Sequence, residues 1–281
     1  MIGKHLERAY RIARWRDDPW TSEGRERYER ALKLFKRVLE HPWFRELREK
    51  GSLRILDLGA GRGIGGVALT RVLRGRGVET RLVMVDVRED AVRDAARFAQ
   101  EEGVKAEVKV MDALDAYMLG RFDLILMYGA ILAHFDEWAL PRLFASAAES
   151  LEDCGLVIVE EVDRVNAIFT KGFKELMVED DRPESLSISV HAGYEPLTGA
   201  YRRLFIRLRD WERVIVPLNF RSIAAVASLL WLFTEDVDVI SLEGEGSYLV
   251  VGRGARRRLR PEHLARSPLI LERGEAWRLA A

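Results

Sequence analysis

The run Ile55-Leu-Asp-Leu-Gly-Ala-Gly-Arg-Gly-Ile-Gly-Gly66 constrains this chain more than any other stretch. A short apolar segment leads straight into glycines, which permit positive φ and let a ligand approach the backbone. A helix begun at such a loop points its first amides at that ligand. The loop reads in two frames. Gly61, Gly63 and Gly66 fit the dinucleotide pattern GxGxxG, with Asp86 about 20 residues beyond, where a ribose-binding acid belongs. Gly59, Gly61 and Gly63, with Asp57 two residues earlier, fit DxGxGxG instead.

The segments around the loop alternate in period. LRILDLGAG, RLVMVDV (81–87), AEVKVMDA (106–113), FDLILMYGA (122–130) and GLVIVEE (155–161) are short apolar runs, and 63–75, 89–102 and about 136–151 have helical spacing between them. Strand and helix in alternation predict a parallel sheet covered by helices on both faces. Residues 5–50 repeat apolar side chains at helical spacing, predicting two or three helices, with Thr21 or Ser22 as an N-cap. After Glu152–Gly155, read as a turn, and the strand at 155–161, a helix is expected over 164–180. SLSISVH (185–191) and 201–217 then predict a hairpin, a helix follows at 222–233, and two strands joined by a Gly-Glu-Gly turn close the core. The expected fold class is α/β: a doubly wound, mostly parallel seven-stranded sheet with an antiparallel last strand, an N-terminal helical extension and a β-hairpin insert after strand 5. The expected division is an extension over 1–50, a core over 51–253 with the insert at about 164–219, and a basic tail over 254–281.

The DxGxGxG frame, with Asp86 ending the second strand and Asp112-Ala113 ending the third, resembles class I S-adenosylmethionine-dependent methyltransferases. FDLILMYGAILAHF (122–135) is similar to that family's fourth strand and following loop. The likeness covers residues 52–163 and 220–253. It implies that Asp57 orients the methionine amino group and that Gly59, Ala60, Gly61 and Gly63 form the loop against the methionine moiety. Asp86 takes the ribose, Val87 packs on the adenine, Asp112 and Ala113 meet its edge, and Met127 and Tyr128 flank the sulfonium. The chemistry agrees: a carboxylate accepts two hydroxyl hydrogen bonds, and a cofactor without phosphate needs no cationic clamp. The alternative for each aspartate is a helix cap.

Methyl transfer from a sulfonium is an in-line displacement driven by positioning, so no nucleophilic residue is required. A base is needed only if the acceptor loses a proton. The candidates are His134 after the fourth strand, and His191 and Tyr194 at the tip of the hairpin, with Tyr201 opening its second strand. Trp15, Trp20 and Tyr28 are candidates for a lid, with packing in the core as the alternative. No cluster has metal-ligand spacing, and Cys154 reads as structural.

Charge separates the acceptor classes. Forty-five basic and 45 acidic residues cancel, yet residues 1–50 carry 14 basic against 9 acidic, 51–252 carry 23 against 33, and 253–281 carry 8 against 3. An acidic core suits a cationic cofactor. The basic ends, including GRGARRRLRPEH (252–263), leave RNA open as a partner, while a small-molecule acceptor in a pocket closed by extension and insert is favoured. The absence of a long apolar run and the single cysteine predict a cytoplasmic protein with no membrane partner. Thirty-seven Arg against 8 Lys, with two Asn and one Gln, predict a thermophile. Two other functions remain in view: an NAD(P)-dependent oxidoreductase built on the GxGxxG frame, and a non-catalytic nucleotide-binding or scaffold protein.

Overall fold

The computed structural model describes residues 2–242 and 246–276. Three helices come first: α1 (Ile2–Ala13), α2 (Ser22–Val38) and α3 (Pro42–Arg48). Thr21 caps α2, its hydroxyl accepting from the Gly24 amide at 3.1 Å. Strand and helix then alternate through β1 (Ser52–Leu58), α4 (Ile64–Arg74), β2 (Glu79–Asp86), α5 (Glu89–Glu101), β3 (Ala106–Val110), β4 (Phe122–Met127), α6 (Ala139–Glu149) and β5 (Leu151–Val162). Next come α7 (Arg164–Lys171), β6 (Leu176–Asp180), β7 (Ser187–Glu195), β8 (Ala200–Arg207) and β9 (Glu212–Asn219). The core resumes with α8 (Ile223–Trp231), β10 (Thr234–Ser241) and β11 (Ser247–Ala255), before α9 (Leu269–Arg273).

Seven strands form one sheet in the order β10-β11-β5-β4-β1-β2-β3. Its neighbours are parallel except around β11, which runs antiparallel to both β5 and β10. Helices cover both faces, so the central strands are apolar on both sides. In β1, Leu53 and Ile55 pack in the layer of α2 to α5, whereas Leu56 and Leu58 pack in the layer of α6 and α8. Strand order reverses at β1, between β4 and β2, and the crevice outside the carboxyl ends of these strands is where such sheets bind ligands.

The insert is larger than a two-stranded hairpin. The β7–β8 hairpin is the middle of a separate four-stranded antiparallel sheet, β6-β7-β8-β9. The strand expected over 201–217 is broken by a turn in which the Asp210 carboxylate accepts from the Arg207 guanidinium and the Glu212 amide, with Trp211 at φ +57°. The helix expected over 164–180 stops at Lys171, because Gly172 takes φ +76° and Leu176–Asp180 then pair with β7. Residues 152–155, read as a turn, belong to β5, where the pairing with β4 slips between Phe122 and Leu124. The expected Gly-Glu-Gly turn falls largely on residues 243–245, outside those described.

The extension splits between two supports. Tyr28, Phe35 and Val38 of α2 join the main core, while Ala9, Ile12 and Ala13 of α1 pack on Phe205, Val214 and Val216 of the insert sheet. Arg8 and Arg11 of α1 both pair with Glu212 of β9, and Arg25 of α2 pairs with Glu102 at the end of α5. The excess charge of the extension is therefore partly spent on acids in the rest of the chain. Among the described residues no helix is long and apolar enough to cross a membrane, and no cluster could hold a metal ion.

Candidate active site

The loop after β1 turns on three glycines with left-handed backbone, Gly59 at φ +64°, Gly61 at +55° and Gly63 at +85°. Gly59 is thus needed for its conformation, as the DxGxGxG frame requires. Gly66 is needed for a different reason: it lies inside α4, and a Cβ there would stand 2.6 Å from Asp57 Oδ2. That close approach lets the Gly66 amide donate to Asp57 at 2.9 Å. Asp57 is 1% exposed, and its Oδ1 has no partner. Burial pushes its carboxyl up to about 8, opposed by the Gly66 amide, so it is held mostly protonated at neutral pH.

Asp86 ends β2 beneath the same loop. Its Oδ2 accepts from the Gly61 amide at 2.8 Å and its Oδ1 from the Arg88 amide at 2.9 Å. The Arg88 side chain, 2% exposed, folds back over the loop, with Nε 3.4 Å from Asp86, Nη2 3.0 Å from Asp17 and its guanidinium 3.7 Å from the centre of the Tyr10 ring. Burial opposes the Arg88 charge, but Tyr10, Asp86 and Asp17 outweigh it and hold the guanidinium protonated. Burial in turn raises Tyr10 to about 12. Arg62 extends the network to Asp17, Asp90 and Asp94. Helix α1 and its connection to α2 are thereby fastened over the end of β2, where a Cβ on Gly3 would run into the Val87 carbonyl.

A cavity of about 480 Å³ opens at the carboxyl ends of β1, β4 and β5, within the size range of small-ligand sites. Its walls come from the glycine loop, from Tyr10, Trp15, Asp17 and Arg27 of the extension, from the 128–134 segment, and from α7 and the insert sheet. Of the residues expected at a cofactor, Gly59, Ala60, Gly61 and Tyr128 line it. Asp57, Gly63, Asp86, Val87, Asp112, Ala113 and Met127 are not part of its lining. Asp112 is occupied as a cap, accepting from the Leu114 amide at 3.0 Å, and the Val87 carbonyl lies against Gly3 of α1.

Of the proton-transfer candidates, His134 lines the cavity, beside Tyr10 and Trp15. Burial, then Arg164 and Arg88, lower it to about 4, so the ring is neutral at physiological pH. His191 and Tyr194 lie outside the lining and form an aromatic cluster with Phe173 and Tyr201. Trp15 faces the cavity, Tyr28 is buried with its hydroxyl donating to Glu102, and Trp20 caps Glu101 from the surface. Reading the sequence missed Arg88, Tyr10 and Asp17. Arg88 alone carried a local signal, an arginine two residues past a strand-end acid. The basic run near the C-terminus sits elsewhere: Arg257 bonds the Leu151 carbonyl and Asp153 at the start of β5, whereas Val162 at its other end lines the cavity. A strand of that length separates the two by roughly 30 Å.

Residues 55–155 match the family model described as "Methyltransferase domain". No curated protein matches the chain. Among solved structures, a S-adenosylmethionine-dependent methyltransferase from Clostridium acetobutylicum aligns at 13% identity and TM-score 0.56, over 76% of this chain and 90% of that one. The sugar N-methyltransferase KedS8 from Streptoalloteichus sp. aligns at 14% and 0.56, over 82% and 88%. The DhpI–SAH complex aligns at 16% and 0.57, over 92% of this chain and all of that one. Sheet order, glycine loop and family match define the class, a Rossmann-like fold built around a methyltransferase domain. Residues 55–155 thus carry the match to a methyltransferase domain, in a fold similar to that of S-adenosylmethionine-dependent methyltransferases.

Proposed function

We propose that the protein transfers the methyl group of S-adenosylmethionine to a small molecule held in the 480 Å³ cavity, with the extension (1–50) and the insert (about 164–219) as its two jaws. The observation that carries this reading is the lining, which joins the glycine loop and Tyr128 to Trp15 of the extension, Phe173 of the insert and Phe220 just after it. Neighbours that include a sugar N-methyltransferase support a small acceptor. The position of the C-terminal basic run, at the opposite end of β5, speaks against RNA at the cavity mouth. The composition further favours a cytoplasmic, thermophilic setting.

When bound, S-adenosylmethionine supplies an electrophilic methyl on a sulfonium. The chain's own residues have capacity for the rest of that molecule. A carboxylate offers about four lone-pair sites; at Asp86 backbone amides use two, leaving room for two ribose hydroxyls. Asp57 Oδ1, buried without a partner, suits the methionine ammonium, reached directly or through water, and ionises on meeting it. The Gly59–Gly61 backbone lies against the methionine moiety, and Met127 and Tyr128 flank the sulfur. Val87, Asp112 and Ala113 serve the adenine once Arg88 and α1 give way over the end of β2. His134 presents a neutral imidazole to the acceptor, able to take a hydrogen bond from its O–H or N–H. The positioning of acceptor against methyl carries the rate.

The test is a crystal structure with S-adenosylhomocysteine. The reading expects its sulfur at the Tyr128 end of the cavity, facing Phe173 and Phe220. A sulfur pointing away from the cavity overturns it.

A further inference from the structure

The methionine end of the cofactor is a zwitterion, and the residues named so far provide for half of it. Asp57 suits the ammonium, whereas the carboxylate on the same carbon needs a cation. Several basic side chains line the cavity, and one of them bears directly on Asp57. Burial raises the Asp57 carboxyl, and of the charged side chains acting on it Arg27 alone pulls it back down. Arg27 belongs to α2, outside residues 55–155, so the family match does not reach it.

The chain makes room for this guanidinium. Gly129, straight after Tyr128, takes φ +97°, and a Cβ there would stand 2.2 Å from Arg27 Nη2. The guanidinium also lies 5.2 Å from the centre of the Tyr128 ring, and Nη1 donates to the Arg16 carbonyl at 3.1 Å. Two acids of the extension are engaged elsewhere: Glu23, one turn earlier on α2, by Ser22 and Arg182, and Asp17 by Arg62 and Arg88. Glu160 is the acid that does act on Arg27. Its Oε2 accepts from the Gly129 amide at 2.6 Å, and burial raises its carboxyl against the pull of Arg27, that amide and Arg30. Among the described residues no ion pair joins Glu160 to Arg27.

A half-buried guanidinium that spends one of its five donors on the Arg16 carbonyl retains donors for a carboxylate, which a guanidinium can grip through two parallel hydrogen bonds. We propose that Arg27 binds the methionine carboxylate of the cofactor, so that the extension completes the cofactor site as well as the acceptor cavity. Asp57 and Arg27 then read the two charges of the amino-acid end. Through the Arg16 carbonyl, Arg27 also ties the connection between α1 and α2 to the bound cofactor. This rests on the S-adenosylmethionine reading above.

The experiment is calorimetry on the full-length protein with three ligands that share adenosine and a thioether. These are S-adenosylhomocysteine, its decarboxylated analogue, which keeps the amine, and methylthioadenosine, which lacks both charged groups. Wild type is expected to bind S-adenosylhomocysteine at least about tenfold more tightly than the decarboxylated analogue, the scale of one charge-assisted hydrogen bond. In Arg27→Met that advantage disappears, because affinity for S-adenosylhomocysteine falls while the other two ligands keep theirs. Arg27→Lys, which keeps the charge without the planar fork, retains part of it. If Arg27→Met does not fold, Arg27→Gln, still able to donate to the Arg16 carbonyl, makes the same comparison. The proposal is overturned if wild type binds S-adenosylhomocysteine and the decarboxylated analogue equally. It is also overturned if the advantage survives without Arg27, as it would were the residue only a counter-charge for Glu160. Binding of none of the three ligands by wild type would instead overturn the S-adenosylmethionine reading beneath it.

Discussion

Asp86→Ala is expected to weaken S-adenosylhomocysteine binding by roughly 10- to 100-fold, the loss of about 1–3 kcal/mol that follows removal of a charge-assisted hydrogen bond. The residue acts twice. It fixes the Gly61 amide, and with it the left-handed turn that forms the cradle. It also offers the lone pairs proposed for the ribose. Asp86→Asn keeps one carbonyl acceptor and is expected to fall between wild type and Ala. The measurement is calorimetric titration at a temperature where circular dichroism shows each variant folded. An unchanged affinity in Asp86→Ala would mean that the cofactor does not lie over β2.

Arg88→Ala is expected to destabilise the protein by about 3 kcal/mol, the low end of what is lost when one partner of a buried ion pair is removed. Asp86 retains its two backbone amides and Asp17 retains Arg62 at 3.1 Å, which limits the loss. The Tyr10 ring loses the guanidinium stacked on it and α1 loses its link to β2. For a chain of this size the change corresponds to a fall in Tm of roughly 6–12 °C. Limited proteolysis should cut between α1 and α2 sooner than in wild type. A variant with wild-type Tm and an uncut 14–21 connection would show that Arg88 does not fasten the extension. Because Arg88 also lies over the proposed adenosine position, the same variant is expected to exchange cofactor faster.

Most of the core was legible because its signals are local. The strand, glycines and helix of 52–74 follow one another within a few residues, and each strand-end acid sits at the close of its own apolar run. The DxGxGxG frame can be preferred on one residue, Gly59, whose positive φ has no purpose in the other frame. The insert was harder. Its strands β8 and β9 meet at a turn with no Gly or Pro, held by Asp210 and by Trp211 in a conformation that tryptophan rarely takes, so the sequence looks like one long strand.

The site was legible only where it is continuous in the chain. Tyr10, Asp17 and Arg88 meet through contacts more than 70 residues apart, and no pattern at either end announces them. His191 and Tyr194 have residue types suited to catalysis, yet neither lines the cavity, and both rings pack against Tyr201 instead. The charge blocks acquire a partly internal use: basic residues of the extension pair with Glu102 and Glu212, and Arg257 near the other end pairs with Asp153.

The central claim is that this glycine loop holds S-adenosylmethionine rather than a nicotinamide dinucleotide. Titration of the wild-type chain with S-adenosylhomocysteine and, separately, with NADH tests it most directly. The account predicts saturable one-to-one binding of S-adenosylhomocysteine and no heat from NADH; saturable binding of NADH with none of S-adenosylhomocysteine would contradict it.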